Sequence, residues 1–234
     1  MKTLAIIPAR GGSKRIPRKN IKIFAGHPII SYAIKNALNC KCFDEVMVST
    51  DDDEIAQVAI KSGATVPFKR SLKASDDTAT TVDVLLEVLN DYNKIGKVFD
   101  LVCCIYPSTP LLNSNRIFEG FKIISSQKEL FGVATVLRYS YPIQRALEIN
   151  SNKVSMLDIS NINTRSQDLP ERYHDAGQFY WFRPEKLKEV GSLLGPGVAP
   201  IVLSDLEAQD IDTVEDWRLA EFKYAFMNTN ESSR

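Results

Sequence analysis

The 234-residue chain reads as an α/β protein built on a mostly parallel sheet with helices on both faces. Two observations predict this. Apolar runs of strand length alternate with helix-period stretches through most of the chain, the pattern of successive βαβ units. The first apolar run is also followed at once by a basic, glycine-containing segment, and sheets of this kind take their ligands outside the carboxyl ends of the strands. A content of 44% hydrophobic and 25% charged residues is that of a folded globular protein and disfavours the disordered and membrane classes.

The elements follow in order. Residues 4–8, 45–49, 65–68, 101–105 and 132–136 are short apolar runs and are expected as strands. Between them, residues 29–38, 53–61, 80–92 and 116–125 carry apolar positions at helical spacing. The rhythm breaks near Ser140. Residues 145–149 and 154–157, separated by Asn150-Ser151-Asn152-Lys153, are expected as a hairpin. Residues 139–178 are expected as an inserted arm that folds over the site or reaches a second subunit. Helical rhythm returns at Pro184 and at residues 214–227, and residues 228–234 form a polar tail. A single domain over residues 1–227, with the arm inside it, accounts for the length.

No apolar run approaches a membrane span, and no signal-peptide pattern follows Met1-Lys2-Thr3, so a cytoplasmic enzyme is expected. Cys103 and Cys104 are neighbours in a strand and point to opposite faces, while Cys40 and Cys42 flank Lys41. Their spacing matches no usual zinc pattern, and all four are read as packing residues of a reducing compartment.

The charge distribution is the strongest functional signal. The chain has no formal net charge, yet its first 43 residues hold nine Lys/Arg and no acid, and six of these bases lie between Arg10 and Lys22. A glycine-rich basic loop at the end of a strand can wrap phosphates with backbone N–H groups and cationic side chains. Ala9, Arg10, Gly11, Gly12, Ser13, Lys14, Lys19 and Asn20 are therefore the candidate triphosphate loop. A solvated basic surface and a nucleic-acid patch are the competing readings. The second is disfavoured because the rest of the chain lacks a broad positive face. Neither a Walker pattern nor a Gly-x-Gly-x-x-Gly fingerprint is present, which disfavours an ordinary kinase or a dinucleotide-dependent oxidoreductase.

The segments after later strands add to this. The acids of Ser49-Thr50-Asp51-Asp52-Asp53-Glu54 are expected mainly to cap the next helix. Arg70 either pairs with a phosphate or lies in a solvated turn. Tyr106-Pro107-Ser108-Thr109-Pro110 makes a rigid loop whose hydroxyls suit a sugar or base, with a plain turn as the competitor. Asp210-Ile211-Asp212-Thr213 places two carboxylates on one side of an extended segment, the usual protein contribution to a Mg²⁺ that also holds substrate phosphates. The competing reading is a cap of the final helix by Asp212-Thr213.

Residues 7–20, Ile-Pro-Ala-Arg-Gly-Gly-Ser-Lys-x-x-Pro-x-Lys-Asn, resemble the signature of the cytidylyltransferases that make CMP-activated nonulosonic acids. Further similar stretches run nearly end to end: Ser49-Thr50-Asp51, Arg70 with Asp77, Pro107-Ser108-Thr109-Pro110-Leu111, Arg165-Ser166-Gln167-Asp168-Leu169 and Asp210-Ile211-Asp212-Thr213. The resemblance implies a Rossmann-like nucleotidyltransferase sheet, CTP and a nonulosonic acid as substrates, and attack of the anomeric hydroxyl on the α-phosphate. It implies catalytic roles for Arg10, Lys14 and Asp212, and nucleotide binding that extends to Arg70 and Asp77. It further implies Mg²⁺ at Asp210 and Asp212, and a sugar pocket from Tyr106, Ser108, Gln178 and Phe179. In such proteins the arm forms a homodimer and lends basic residues to the partner's sugar site, which makes Arg165 and Arg145 candidates for the sugar carboxylate.

Pro142-Ile143-Gln144-Arg145 and residues 174–181 are similar to the branch that activates pseudaminic acid. Neuraminate synthetases usually carry Gln at the position of Tyr106 and Asn-Gly-Ala at that of Ala176-Gly177-Gln178. Legionaminate and neuraminate synthetases are the rivals within the class.

Overall fold

The computed structural model describes residues 1–76 and 78–231. The chain runs β1 (Thr3–Pro8), β2 (Ile23–Phe24), β3 (His27–Pro28), α1 (Ile30–Cys40), β4 (Glu45–Ser49), α2 (Asp53–Lys61), α3 (Leu72–Ser75) and α4 (Thr81–Lys94). It continues with β5 (Leu101–Ile105), α5 (Ser114–Ser126), β6 (Gly132–Arg138), β7 (Leu147–Asn150), β8 (Lys153–Met156), β9 (Tyr173–Phe182), α6 (Pro184–Val190), β10 (Val198–Leu203) and α7 (Val214–Glu231). The central sheet has the order β10-β6-β9-β5-β1-β4, parallel except for β9, which runs antiparallel to both its neighbours.

Leu4, Ala5, Ile6 and Ile7 of β1 are all fully buried because the sheet is covered on both faces. Ala5 and Ile7 pack with Ala33 and Ile34 of α1, Ile55 of α2 and Ile117 and Ile124 of α5. Leu4 and Ile6 pack with Leu85, Val88 and Tyr92 of α4 and Leu187 of α6. The same alternation separates Cys103 from Cys104, which lie in the two different clusters. Strand β1 is flanked by β4 and β5, so the chain winds outward from it in both directions. The crevice at its carboxyl end is the topological switch point where such sheets bind ligands.

The structure departs from the sequence reading at four places. Residues 65–68 do not form a strand. Thr65 and Lys69 make isolated bridges to Met47 and Thr50, and Pro67, which has no N–H, interrupts the ladder between them. Residues 173–178, expected in the arm, begin β9 in the middle of the sheet, so the excursion ends near Arg172, whose carbonyl accepts from Tyr139 N at 3.0 Å. The expected hairpin is present as β7 and β8, but its turn is the two residues Ser151 and Asn152, both at positive φ, the geometry that matches strand twist. Helix α7 continues through Asn228 to Glu231, into the segment read as a tail.

Gly132 begins β6 between β9 and β10. A Cβ there would lie 2.6 Å from the backbone oxygen of Trp181, which cannot rotate away. Gly132→Ala is expected to lower the unfolding free energy by about 2 kcal/mol or more. Urea unfolding followed by circular dichroism measures this, and an unchanged midpoint would show that the strands part here without cost.

Candidate active site

The basic loop leaves β1 at Pro8 and is fastened to the rest of the protein at several points. Ala9 is buried and donates its N–H to Ser49 O at 2.9 Å. Gly11 N–H donates to Asp51 Oδ1 at 3.0 Å, and a Cβ on Gly11 would lie 2.8 Å from Asp52 Oδ2, so glycine is what lets the loop approach the β4–α2 turn. Asn20 is buried and donates its amide to Arg10 O at 2.9 Å. Arg18 takes a left-handed backbone conformation (φ 55°), and its guanidinium grips both Asp52 and Glu54. Asp52 also caps α2 by accepting from Glu54 N and Ile55 N at 3.0 Å. Arg18, its strongest hydrogen-bond partner, helps hold the Asp52 carboxyl down at about 2. Arg18 therefore serves the loop's shape rather than a ligand.

A third apolar cluster joins the loop to the acidic segment. Ile16 of the loop, Phe24 of β2, Tyr32 of α1, Ile211 and Trp217 of α7 are buried together. Phe24 meets Tyr32, Trp217 and Tyr224 edge-on at 5.5–5.6 Å, and the Tyr32 hydroxyl donates to Phe24 O at 2.7 Å. Ile211 is the residue between the two acids. Burying it turns Asp210 and Asp212 out of the core together.

The acids and bases meet in one pocket of about 490 Å³ at the end of β1. Its charged lining is Arg10, Lys14, Arg15 and Lys19 with Asp210 and Asp212, and Ser13, Asn20, Tyr106 and Ser108 complete the polar wall. Arg15 reaches Asp212 Oδ1 at 2.8 Å. Lys19 Nζ donates to Ile211 O at 2.7 Å and lies 3.8 Å from the same Asp212 oxygen. The capping alternative for this segment falls to Thr213 and Asp216. Thr213 N–H and Oγ1 donate to Asp216 Oδ2, and Asp216 N–H donates back to Thr213 Oγ1, leaving the Asp212 side chain in the pocket.

Asp210 and Asp212 fit a divalent cation. They line the same pocket, and the Asp210 carboxyl is pushed above its ordinary range first by burial and then by the neighbouring Asp212 charge, a repulsion that a cation relieves. Among the described residues no three or more His, Cys, Asp or Glu side chains are placed to hold a metal together, so an ion held here takes further oxygens from substrate or water.

A smaller depression of about 280 Å³ adjoins this pocket, sharing Pro8, Arg10 and Tyr106 and lined also by Arg70, Ala79, Thr80 and Thr81. Arg70 does not lie in a solvated turn. It is 7% exposed, is bonded through Nε to Ser49 Oγ at 3.0 Å and through Nη2 to Ser49 O, and is pushed down to about 10 by burial. Asp77, expected beside it, lies outside the described residues.

The expected sugar residues divide. Tyr106 and Ser108 line the main pocket, and the Tyr106 hydroxyl is 3.3 Å from Thr81 Oγ1. Gln178 is buried and donates its amide to Glu207 O, which ties β9 to the segment leading to the acids. Phe179 is fully buried in the cluster under α5, where its ring would sit 3.2 Å from a Cβ at Gly120, so it supports the sheet and offers no surface to a sugar. Arg165 stands on the exposed arm, ion-paired to Asp168 at 2.8 Å, away from this chain's own pocket.

Two residues with a part in the site were missing from the sequence reading. Arg15 occupies a variable position of the motif. Lys223 of α7 donates to Asp205 O (2.6 Å), Ala208 O (2.9 Å) and Gln209 Oε1 (3.0 Å), fixing the turn immediately before Asp210. Nothing in the sequence separates Lys223 from any other helix-surface lysine.

A mostly parallel sheet with a cation-rich loop at its switch point and paired acids opposite defines the nucleotidyltransferase class. A cytidylyltransferase family profile matches residues 4–191, and the chain belongs to that family. It is 44% identical over 226 residues to a pseudaminic acid cytidylyltransferase of Campylobacter jejuni subsp. jejuni serotype O:2, covering 96% of this chain and 97% of that one. It is 32% identical to the CMP-N,N'-diacetyllegionaminic acid synthase of Legionella pneumophila subsp. pneumophila, covering 94% and 95%. Among solved structures, a CMP:2-keto-3-deoxy-manno-octonic acid synthetase complexed with CTP shares the fold with a TM-score of 0.71 at 19% identity, over 98% of this chain and 100% of that one.

Lys223→Met leaves three acceptors without their donor and loosens the turn that presents Asp210. With Asp210 as a ligand of a divalent cation, the Mg²⁺ concentration for half-maximal turnover is expected to rise about tenfold, as when a group that orients a metal ligand is lost. A Mg²⁺ titration of initial rates checks this, and an unshifted midpoint would leave Lys223 a stabilising residue only.

Proposed function

We propose that the protein transfers the cytidylyl group of CTP to the anomeric hydroxyl of pseudaminic acid, releasing pyrophosphate. The observation that carries this reading is the convergence of four cationic side chains and two carboxylates on one pocket at the switch point. With a divalent cation, a nucleoside triphosphate retains about two negative charges, which this lining complements. The sequence similarity to pseudaminic acid cytidylyltransferases over nearly the whole chain supports the choice of acceptor.

Arg10 and Lys14 hold the triphosphate, with the Ser13 hydroxyl between them in sequence. Asn20 keeps Arg10 in place through its carbonyl. The adjoining depression takes the nucleoside end, with Arg70 and the hydroxyls of Thr80 and Thr81 as its polar wall. Tyr106 and Ser108 face the acceptor sugar, and Gln178 supports them from behind the Tyr106 backbone, whose N–H donates to Gln178 O at 2.9 Å. Asp210 and Asp212 would hold Mg²⁺, which when bound neutralises phosphate charge as pyrophosphate departs. Alignment of the attacking hydroxyl and fixed positive charge do the rest. The hemiketal hydroxyl is more acidic than an ordinary alcohol, so no side-chain base is assigned.

The arm belongs to the same reading as a dimer contact. Leu147 (63% exposed), Ile149 (73%) and Leu157 (71%) are open to solvent on or beside a two-stranded hairpin, which is marginal in isolation. Packing on a second copy would cover them and bring Arg165 to the partner's sugar pocket.

Pyrophosphate release with CTP and Mg²⁺ is expected with pseudaminic acid and not with legionaminic or N-acetylneuraminic acid, and Asp212→Asn is expected to lower kcat at least about 100-fold. Turnover with another acid keeps the chemistry and changes the acceptor, whereas no turnover with any removes the reading. Ile149→Asp is expected to convert a dimer into monomers in light scattering, and an unchanged mass would exclude the arm as the contact.

A further inference from the structure

The two cations beside Asp212 are held differently. Lys19 is mostly buried and has a second, shorter bond to Ile211 O, so it is part of the scaffold. Arg15 has a side chain 69% exposed, and its Nη2 lies 2.8 Å from Asp212 Oδ1. Its neighbour Ile16 is 2% exposed in the third cluster, so the backbone beside Arg15 is fixed while the side chain is free to change direction.

We propose that Arg15 is a resident counter-cation for Asp212, occupying the ligand-free carboxylate and giving it up when a divalent cation arrives. This rests on the reading of Asp210 and Asp212 as divalent-cation ligands. Asp212 shares its pocket with a second carboxylate, Asp210, and positive charge beside it lowers their mutual repulsion before any ligand binds; the Arg15 guanidinium supplies it together with Lys19. An ion pair made by so exposed a side chain is also weak enough to exchange. Arg15 therefore keeps Asp212 pointed into the pocket, and the divalent cation must compete with it. An anionic substrate accepts the displaced positive charge, so the cation and the nucleotide are expected to bind more readily together than apart.

The test is a titration of nucleotide-free protein with Mn²⁺ at low ionic strength, following loss of the free-ion signal by electron paramagnetic resonance. It compares wild type, Arg15→Gln and Asp212→Asn. Arg15→Gln is expected to bind Mn²⁺ about threefold to fivefold tighter than wild type, the scale of one exposed ion pair. The gain is expected to shrink as salt is raised. Asp212→Asn is expected to bind at least about tenfold more weakly than wild type. Equal or weaker binding by Arg15→Gln, with the loss in Asp212→Asn retained, would overturn the role of Arg15 and leave the acid pair as a cation site. Absence of any Mn²⁺ binding sensitive to Asp212 in all three proteins would overturn both. Matching thermal unfolding of wild type and Arg15→Gln guards against a folding defect.

Discussion

Positive charges repel, and a protein that gathers Arg10, Lys14, Arg15 and Lys19 around one cavity must hold them there before any anion arrives. That constraint organises the site. Asp51 receives a loop N–H, Asp52 and Glu54 take Arg18, and Asp212 takes Arg15 with Lys19 close by. Charge alone does not hold the geometry, because partly exposed ion pairs contribute little. The apolar cluster of Ile16, Phe24, Tyr32, Ile211 and Trp217 supplies the non-directional part, binding the basic loop and the acidic segment to one another.

Helix α7 is the second support. Lys223 fastens the turn before Asp210, Asp216 fastens the backbone of Asp212 and Thr213, and Trp217 buries Ile211 between them. Lys22 adds its ammonium over the Trp217 ring at 4.6 Å, tying the end of the basic loop to the same helix. Interactions of three different kinds thus converge on the acid segment and the turn before it. The family profile match ends at residue 191, before all of them, so the acid pair and its helix lie outside the matched span.

Much of this could be read before the structure. The sheet strands buried on both faces announce themselves as continuous apolar runs, and the basic loop as a charge imbalance that needs no partner to be noticed. What could not be read depends on pairing across distance. Strand β9 begins with Tyr173-His174-Asp175, polar residues that look like loop until β6 is seen beside them. The resemblance put Gln178 and Phe179 in one pocket, but strand neighbours face opposite sides, and Phe179 falls into the core under α5. Pro67 breaks a run whose composition alone says strand. Arg15 and Lys223 acquire their roles only from acceptors nearly the whole length of the chain away, or on a neighbouring loop.

The arm connects β6 to β9, and these are neighbouring antiparallel strands. Its two roots are therefore one strand spacing apart, closed by the bond from Tyr139 to Arg172. In topological terms the arm is the loop of a very long hairpin, and the entropy of closing such a loop grows only slowly with its length. Residues within it can be lengthened, shortened or exchanged while both strands keep their register. The architecture thus separates two rates of change: the floor of the pocket is bound into the sheet, whereas the arm, which we propose meets another subunit, can drift freely. New surfaces on the arm are accessible to this scaffold without refolding it.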